Sequence, residues 1–223
     1  MKQLSSIIFV VISALFLISC NGNSPTHDQP SLMQKSAKRG VSFNFTNIQD
    51  LPLLSPAISW SYNWANDQNS TAALWFDTNE MDFCPMCWNG SYSAAKIRQY
   101  VQEHPNTKYL LGFNEPNLTD QCNMTPVQAA EQWPQVVALA RELNLKLISP
   151  AMNYGTLAGY HDPIKWLDEF FAQPNVSLDD IHAIAIHCYM ASPSAVKDYI
   201  KRFEKYGKPI WMTEFCAWDP VPS

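Results

Sequence analysis

The sequence is short of charge and of glycine, and each shortage argues against a class of protein. Only 16% of its 223 residues are charged and 47% are apolar, a balance typical of one globular domain and not of a disordered chain. The net charge is only −5 and no basic stripe is present, which argues against nucleic acid as a partner. None of the seven glycines forms a Gly-rich phosphate loop after a predicted strand, which disfavours nucleotide binding.

Cysteines are few, and their spacing does not favour a metal site. Cys84 and Cys87 have the C-x-x-C spacing, but no second such pair follows and the histidines lack ligand spacing. We therefore predict no metal and no other cofactor. In an exported chain a disulfide is the better interpretation, and it would join Cys122 to Cys84 or Cys87. Cys188 and Cys216 are interpreted as buried, and the odd count leaves at least one free thiol.

Residues 1–19 have the features of an export signal. Lys2 precedes the apolar run IIFVVISALFLIS, which is too short for a comfortable membrane span. The run ends in LISC, which resembles the lipobox of bacterial lipoproteins. That resemblance implies cleavage before Cys20 and lipidation of this cysteine. An ordinary signal peptide or a membrane anchor is the alternative.

The segment after Cys20 is polar and rich in proline and serine, so residues 20–38 are predicted to form a flexible tether. Residues 39–223 are then the folded domain. The lipobox resemblance implies an exported bacterial lipoprotein of the cell envelope, on the outer membrane, which contacts the membrane through its lipid anchor.

Short apolar runs alternate with helical patterns from residue 40 onward. We predict strands at residues 40–45, 57–64, 82–88, 109–115, 145–151, 183–189 and 208–215. We predict helices at residues 91–105, 125–144, 162–173 and 192–207. Thr125 is the expected N-cap before Pro126, and Gly207 the expected C-cap.

This alternation predicts an α/β protein with a parallel sheet. Polar residues collect at the carboxyl ends of the strands, where a (β/α)8 TIM barrel holds its active site. A barrel is therefore preferred to a doubly wound sheet. The sequence ends eight residues after the seventh predicted strand, so we expect a barrel truncated before its eighth strand, with a sheet closed in some other way as the alternative.

Glu115 and Glu214 each end a predicted strand. Because side chains alternate along a strand, we expect Leu111 and Phe113 to share the face of Glu115. The same alternation puts Ile210 and Met212 on the face of Glu214. Two carboxylates about 5 Å apart at a barrel mouth suit retaining glycoside hydrolysis. The competing interpretation is that both are structural glutamates paired with Lys or Arg.

Four motifs occur in the order expected of one family: LLGFNEPN, SP at 149–150, IAIHCY and GKPIWMTEF. From about residue 40 the chain resembles the glycosyl hydrolase catalytic core family, glycoside hydrolase family 128 of clan A. The resemblance implies a (β/α)8 retaining endo-β-1,3-glucanase with a β-glucan substrate. Matched by motif, Glu115 is the acid/base and Glu214 the nucleophile. Asn114 is the asparagine that hydrogen-bonds the sugar 2-hydroxyl.

Further candidates surround this pair. His187 and Tyr189 share a strand face that points toward the cleft, where tyrosine could bond the nucleophile and histidine the substrate. The remaining candidate sugar contacts are Trp64, Trp88, Trp218, Asn63 and Asn153. For each tryptophan, plain packing is the competing interpretation. Two other functions stay open: a surface glucan-binding lipoprotein without turnover, and a clan A glycanase acting on another polysaccharide such as mannan or xylan.

Overall fold

The computed structural model describes residues 35–217 of the chain, so the predicted signal, Cys20 and Trp218 lie outside the described residues. Strands and helices alternate within this range. The strands are β1 (Gly40–Ser42), β2 (Trp60–Tyr62), β3 (Asp82–Phe83), β4 (Tyr109–Leu111), β5 (Lys146–Ile148), β6 (Ile181–Cys188) and β7 (Ile210–Phe215). The helices are α1 (Leu51–Leu54), α2 (Ser70–Thr78), α3 (Ala94–Glu103), α4 (Pro126–Glu142), α5 (Pro163–Phe171) and α6 (Pro193–Lys201).

All strand pairs are parallel, and the strands lie side by side in chain order. β1, β2 and β3 form one sheet, and β4 to β7 form another. An isolated parallel bridge between Met86 and Leu111 joins the two sheets, and β7 also contacts β1. The prediction of an α/β protein with parallel strands is therefore confirmed. Most strands are shorter than predicted, because several chain segments leave the ladder before their polar ends.

Two layers of apolar side chains pack on opposite sides of the strands. The inner layer contains Trp60, Tyr62, Cys84, Met86, Leu111, Ile148, Ala151, Ala183 and Ala185. Alanines at two inner positions of β6 leave room for the larger rings of the opposite strands. The outer layer packs the strands against α4, α5 and α6, and its largest fully buried members are Trp133 and Trp166.

The predicted helices are present, with boundaries set by capping. Thr125 accepts the N–H of Gln128 while the Gln128 side chain accepts the N–H of Thr125, a capping box that fixes the start of α4. Gly207 has a φ of 63° and ends a short 3₁₀ turn after α6, as a C-cap glycine does. The sequence patterns missed α1 and α2, since α1 is a single turn and α2 buries only part of its apolar surface. No helix among residues 35–217 is long and apolar enough to cross a membrane.

Gly112 lets the chain just after β4 approach the end of β5 closely. A Cβ built at this position would lie 2.9 Å from the carbonyl oxygen of Ile148 and 2.9 Å from the Trp133 ring. The N–H of Gly112 also donates to that carbonyl at 3.1 Å. Only glycine fits between these atoms, so the path of the chain into Glu115 depends on it.

Gly112→Ala is expected to lower the free energy of unfolding by ~2–3 kcal/mol, because the added methyl overpacks backbone atoms that cannot rotate away. Gly159→Ala is the control: a Cβ there meets nothing within 4 Å at a φ of 81°, so only left-handed strain of ~1 kcal/mol is expected. Urea unfolding measures both. An equal loss in the two variants would contradict the close approach at Gly112.

Candidate active site

Glu115 is held beyond the end of β4 by an unusual backbone conformation. Its φ is 43°, in the left-handed region that costs a non-glycine residue about 1–3 kcal/mol and that clusters at functional sites. The N–H of Glu115 donates to the carbonyl of Ala151 at 3.0 Å, and the N–H of Asn114 donates to that of Trp88 at 2.9 Å. These bonds to both neighbouring chain segments hold the strained turn in place.

The expectation that Leu111, Phe113 and Glu115 share one face of the strand is wrong. Leu111 lies in the inner layer, but Phe113 lies in the outer layer with its ring 5.4 Å from that of Trp133. β4 ends at Leu111, so side chains no longer alternate between the two faces at Phe113 and Glu115. The left-handed turn, and not strand alternation, directs Glu115 to the site.

A bulge positions Glu214. Ile186 pairs with Met212 and His187 pairs with Glu214, so Thr213 is an extra residue in β7. The expectation that Ile210, Met212 and Glu214 share one face is therefore wrong. Trp211 packs with the inner layer and Met212 with the outer layer, and the extra residue returns Glu214 to the inner side.

Three donors surround the carboxylate of Glu214. The indole N–H of Trp64 and the hydroxyl of Tyr62 donate to Oε1 at 2.7 and 2.9 Å, and the hydroxyl of Tyr189 donates to Oε2. Burial alone would raise the pKa of Glu214, but the positive charge of His187 and the bonds from Tyr189, Trp64 and Tyr62 outweigh it and hold that pKa below its usual value. Glu214 is therefore ionised over a wide pH range.

The two tyrosines stay protonated. Burial raises the pKa of Tyr62 and of Tyr189 far above the usual range, and the neighbouring charge of Glu214 adds to the effect. Each hydroxyl is thus a permanent donor to the carboxylate.

One imidazole ring touches both carboxylates. His187 is fully buried, with Nδ1 2.9 Å from Oε1 of Glu115 and Nε2 3.4 Å from Oε1 of Glu214. The first contact is a hydrogen bond. At the second, Nε2 lies close to Glu214 but makes no hydrogen bond. Nδ1 can donate to an ionised Glu115 or accept from a protonated one, so the pair can hold a single proton between them.

Asparagines complete the surroundings of Glu115. Asn153 donates from Nδ2 to Oε1 of Glu115 at 3.2 Å. Asn114 is 3% exposed, and its Nδ2 donates to Oε1 of Gln121 at 3.1 Å. Its Oδ1 is buried and has no partner within the described part of the chain. Gln121 thereby orients the Asn114 amide and leaves its oxygen unpaired.

The other predicted sugar contacts differ in their surroundings. Trp64 is bonded to Glu214, and its φ of 61° shows that the backbone is turned to place it there. Trp88 is half-buried against the inner layer, and Trp218 lies outside residues 35–217. Asn63 binds within its own loop, donating to the carbonyl of Asp67 and accepting the N–H of Ala65, and bonds to neither glutamate.

The five cysteines of the described residues are free thiols, so the expected disulfide of Cys122 with Cys84 or Cys87 is not formed. Cys84 lies in the inner layer, whereas Cys87 and Cys122 belong to the outer one. Burial raises the pKa of Cys122 to about 12 and that of Cys87 higher still, which keeps both as unreactive thiols. Cys216 is exposed and Cys188 is buried in the outer layer. The expectation of burial thus holds for Cys188 and is wrong for Cys216.

No group of three or more His, Cys, Asp or Glu side chains suited to a metal occurs among residues 35–217.

Two residues of the site were not predicted. Tyr62 stands two positions before Trp64 in the phrase SYNW, and strand alternation could have placed both on the inner face. No sequence signal indicates Gln121, because it approaches Asn114 from a loop seven residues later.

Two largely buried carboxylates at the carboxyl ends of parallel strands are the arrangement that glycoside hydrolases use. Comparison of the chain with known protein families indicates the same class. Residues 40–223 match the family described as Glycosyl hydrolase catalytic core. The chain belongs to this family, and among the glycoside hydrolases to family 128.

Solved structures of that family are similar over most of the chain. A subgroup II endo-β-1,3-glucanase from Pseudomonas viridiflava is 38% identical, with a TM-score of 0.75 over 85% of this chain and 74% of that one. Another subgroup II endo-β-1,3-glucanase, from Sorangium cellulosum, is 33% identical, with a TM-score of 0.71 over 83% of this chain and 77% of that one.

A curated relative, alkali-sensitive linkage protein 1 of Schizosaccharomyces pombe, is 29% identical over 189 residues. These residues make up 81% of this chain but only 30% of the relative. The chain thus spans less than a third of that protein's length.

Tyr189→Phe is expected to raise the pKa of Glu214, because it removes one of the donors that favour the ionised carboxylate. A carbon-13 NMR titration of the Glu214 carboxyl measures the change. Tyr160→Phe is the matched control, since it removes a tyrosine–glutamate hydrogen bond of 2.8 Å to Glu169, elsewhere in the fold. An unchanged Glu214 titration in Tyr189→Phe would contradict the role of this donor.

Proposed function

We propose that the protein is a retaining glycoside hydrolase that cleaves β-glucan, most specifically an endo-β-1,3-glucanase. The observation that carries the proposal is the coupling of Glu115 and Glu214 through one buried imidazole, at 2.9 and 3.4 Å. Two carboxylates that contact one ring are close enough to act on one glycosidic bond.

In the first step Glu214 attacks and Glu115 protonates. The lowered pKa of Glu214 keeps it ionised, so one of its oxygens forms a bond to the anomeric carbon. As the bond from that carbon to the glycosidic oxygen breaks, Glu115 gives its proton to the departing oxygen. Asn114 contributes its unpaired Oδ1 as an acceptor for the sugar 2-hydroxyl, a contact that strengthens in the transition state.

In the second step Glu115 acts as a base. It takes a proton from a water molecule, whose oxygen attacks the anomeric carbon and releases Glu214 as a carboxylate. The hydrogen bonds from Tyr62, Trp64 and Tyr189 stabilise Glu214 as an ionised carboxylate, both before it attacks and after it is released. Two inversions at one carbon give net retention. This chemistry uses no metal or organic cofactor.

The relatives support the choice of substrate. The two subgroup II structures are named endo-β-1,3-glucanases, and a subgroup I endo-β-1,3-glucanase from Amycolatopsis mediterranei, 29% identical, has been solved with laminaritriose and laminaribiose. A subgroup III member from Blastomyces gilchristii, 26% identical, is named an exo-β-1,3-glucanase. The higher identity to subgroup II favours endo action here.

The proposed architecture is the (β/α)8 barrel. Seven parallel strands in sequential order, with an apolar inner layer and contact between β1 and β7, support it. An eighth strand is not among residues 35–217.

Glu115→Gln is expected to lower kcat/KM on β-1,3-glucan by about 10²–10⁴-fold, since the proton donor is lost. Glu214→Gln is expected to lower it by at least about 10⁴-fold, because no covalent intermediate can form. Release of reducing sugar measures both, and NMR of the parent's first product gives its anomeric configuration. Glu142→Gln, at an exposed glutamate bonded to Arg98, is the control and retains parental activity.

Parental rates in either site variant, or a product of inverted configuration, would overturn the proposed mechanism. Hydrolysis of mannan or xylan in preference to β-1,3-glucan would retain the mechanism and reject the substrate.

We further propose that the protein is exported and anchored through a lipid on Cys20, with residues 20–38 as tether. The support is the sequence of residues 1–20 alone. In bacteria that express the full chain, Cys20→Ser is expected to abolish incorporation of radiolabelled palmitate and to release the protein from the membrane fraction. Cys216→Ser, which changes an exposed cysteine of the domain, is the control. Equal labelling of Cys20→Ser and the parent would reject the anchor.

A further inference from the structure

One exposed aromatic residue directly follows, in the chain, a residue that bonds to Glu115, and it has no part in the chemistry above. Tyr154 lies in the loop after β5 and is 49% exposed. It directly follows Asn153, whose Nδ2 donates to Glu115, and its own N–H donates to Oδ1 of Asn153 at 2.8 Å. Tyr154 is therefore the chain neighbour of the residue whose amide bonds to the acid/base.

The ring of Tyr154 is fixed by packing and by charge. Its centroid lies 5.2 Å from that of Tyr199, which is itself buried and donates to the carbonyl of Met152. Nη1 of Arg202 donates to the Tyr154 hydroxyl at 3.1 Å, and the guanidinium carbon lies 5.8 Å from the ring centroid. Nη2 of Arg202 in turn donates to both carboxylate oxygens of Asp162 at 2.7 Å.

An exposed ring held in this way is suited to binding. Most of the entropy that a surface side chain loses on contacting a ligand is already lost in the folded protein. The face of an aromatic ring is negatively polarised and attracts the C–H groups on the face of a pyranose.

The position of Tyr154 indicates which sugar it contacts. Glu115 delivers its proton to the glycosidic oxygen, so the leaving sugar lies on the Glu115 side of the cleft. Tyr62 and Trp64 bond to Glu214 and line the opposite wall, beside the sugar that is attacked. Asn153 bonds to Glu115 on the other wall, and Tyr154 follows Asn153 directly in the chain.

We propose that Tyr154 is a stacking platform for a glucosyl unit on the leaving-group side, and that it holds an acceptor sugar when one replaces water. The proposal rests on the retaining mechanism above. In transfer, an acceptor hydroxyl attacks the anomeric carbon, gives its proton to Glu115, and displaces the carboxylate of Glu214. Water and acceptor compete for one intermediate, so the ratio of transfer to hydrolysis reports acceptor binding within each variant.

The test uses a β-1,3-glucan oligosaccharide as donor and an added β-1,3-linked glucose disaccharide as acceptor. Tyr154→Ala is expected to lower the ratio of transfer to hydrolysis about tenfold, which corresponds to ~1.4 kcal/mol. Tyr154→Leu keeps apolar packing against Tyr199 but loses the ring, and it is expected to lower the ratio equally. Tyr154→Phe keeps the ring and stays within about twofold of the parent. Leu74→Ala, at a 65% exposed residue of α2, is the control and leaves the ratio unchanged.

A second measurement does not depend on turnover. Calorimetric titration of the same disaccharide is expected to give a Kd about tenfold weaker for Tyr154→Ala and Tyr154→Leu than for the parent. A parent that binds the disaccharide through Tyr154 but hydrolyses no glucan would reject the proposed function and keep the platform. A parental ratio and a parental Kd in Tyr154→Leu would overturn the platform and leave the hydrolase intact.

Discussion

The site depends on one interaction, the buried contact of the His187 imidazole with Glu115 on one side and Glu214 on the other. Two uncompensated carboxylates in a largely buried space would repel each other and would both resist ionisation. A single ring between them can share a proton with Glu115, and when it is protonated it supplies one positive charge. Its effect is unequal, because Glu214 has three further donors and Glu115 only an amide. This inequality favours the ionised form of Glu214, whose pKa is lowered, and leaves Glu115 as the carboxyl that exchanges a proton with the ring.

Placing the two carboxylates against one ring requires departures from regular strand geometry. Glu115 lies in a left-handed turn after Gly112, and Glu214 follows a bulge at Thr213. Trp64 also has a positive φ. Each departure occurs at the carboxyl end of a strand, and neighbouring backbone bonds hold the Glu115 turn. The regular parts of the strands, filled by the inner layer, form the rigid support on which these irregular ends are positioned.

Much of this arrangement can be predicted from the sequence. Periodicity gave the order of strands and helices, and the polar ends of the runs at 109–115 and 208–215 indicated both glutamates. The exact paths of these ends were not readable. The predicted strand faces of Phe113 and Met212 were wrong. A left-handed turn and a bulge depend on contacts with neighbouring strands, and a local sequence pattern does not contain those contacts. Gln121 was missed for the same reason, since its role is defined by tertiary contact alone.

The donors to Glu214 also determine when the site can form. Tyr62 and Trp64 precede Glu214 by 152 and 150 residues. At typical rates of synthesis this interval takes roughly 8–30 s, during which the two aromatic side chains do not yet have Glu214 to bind. The inner layer needs strands from both ends of the domain, and such distant pairings form slowly. In a chain that folds as it emerges, the active centre is consequently among the last parts to be completed.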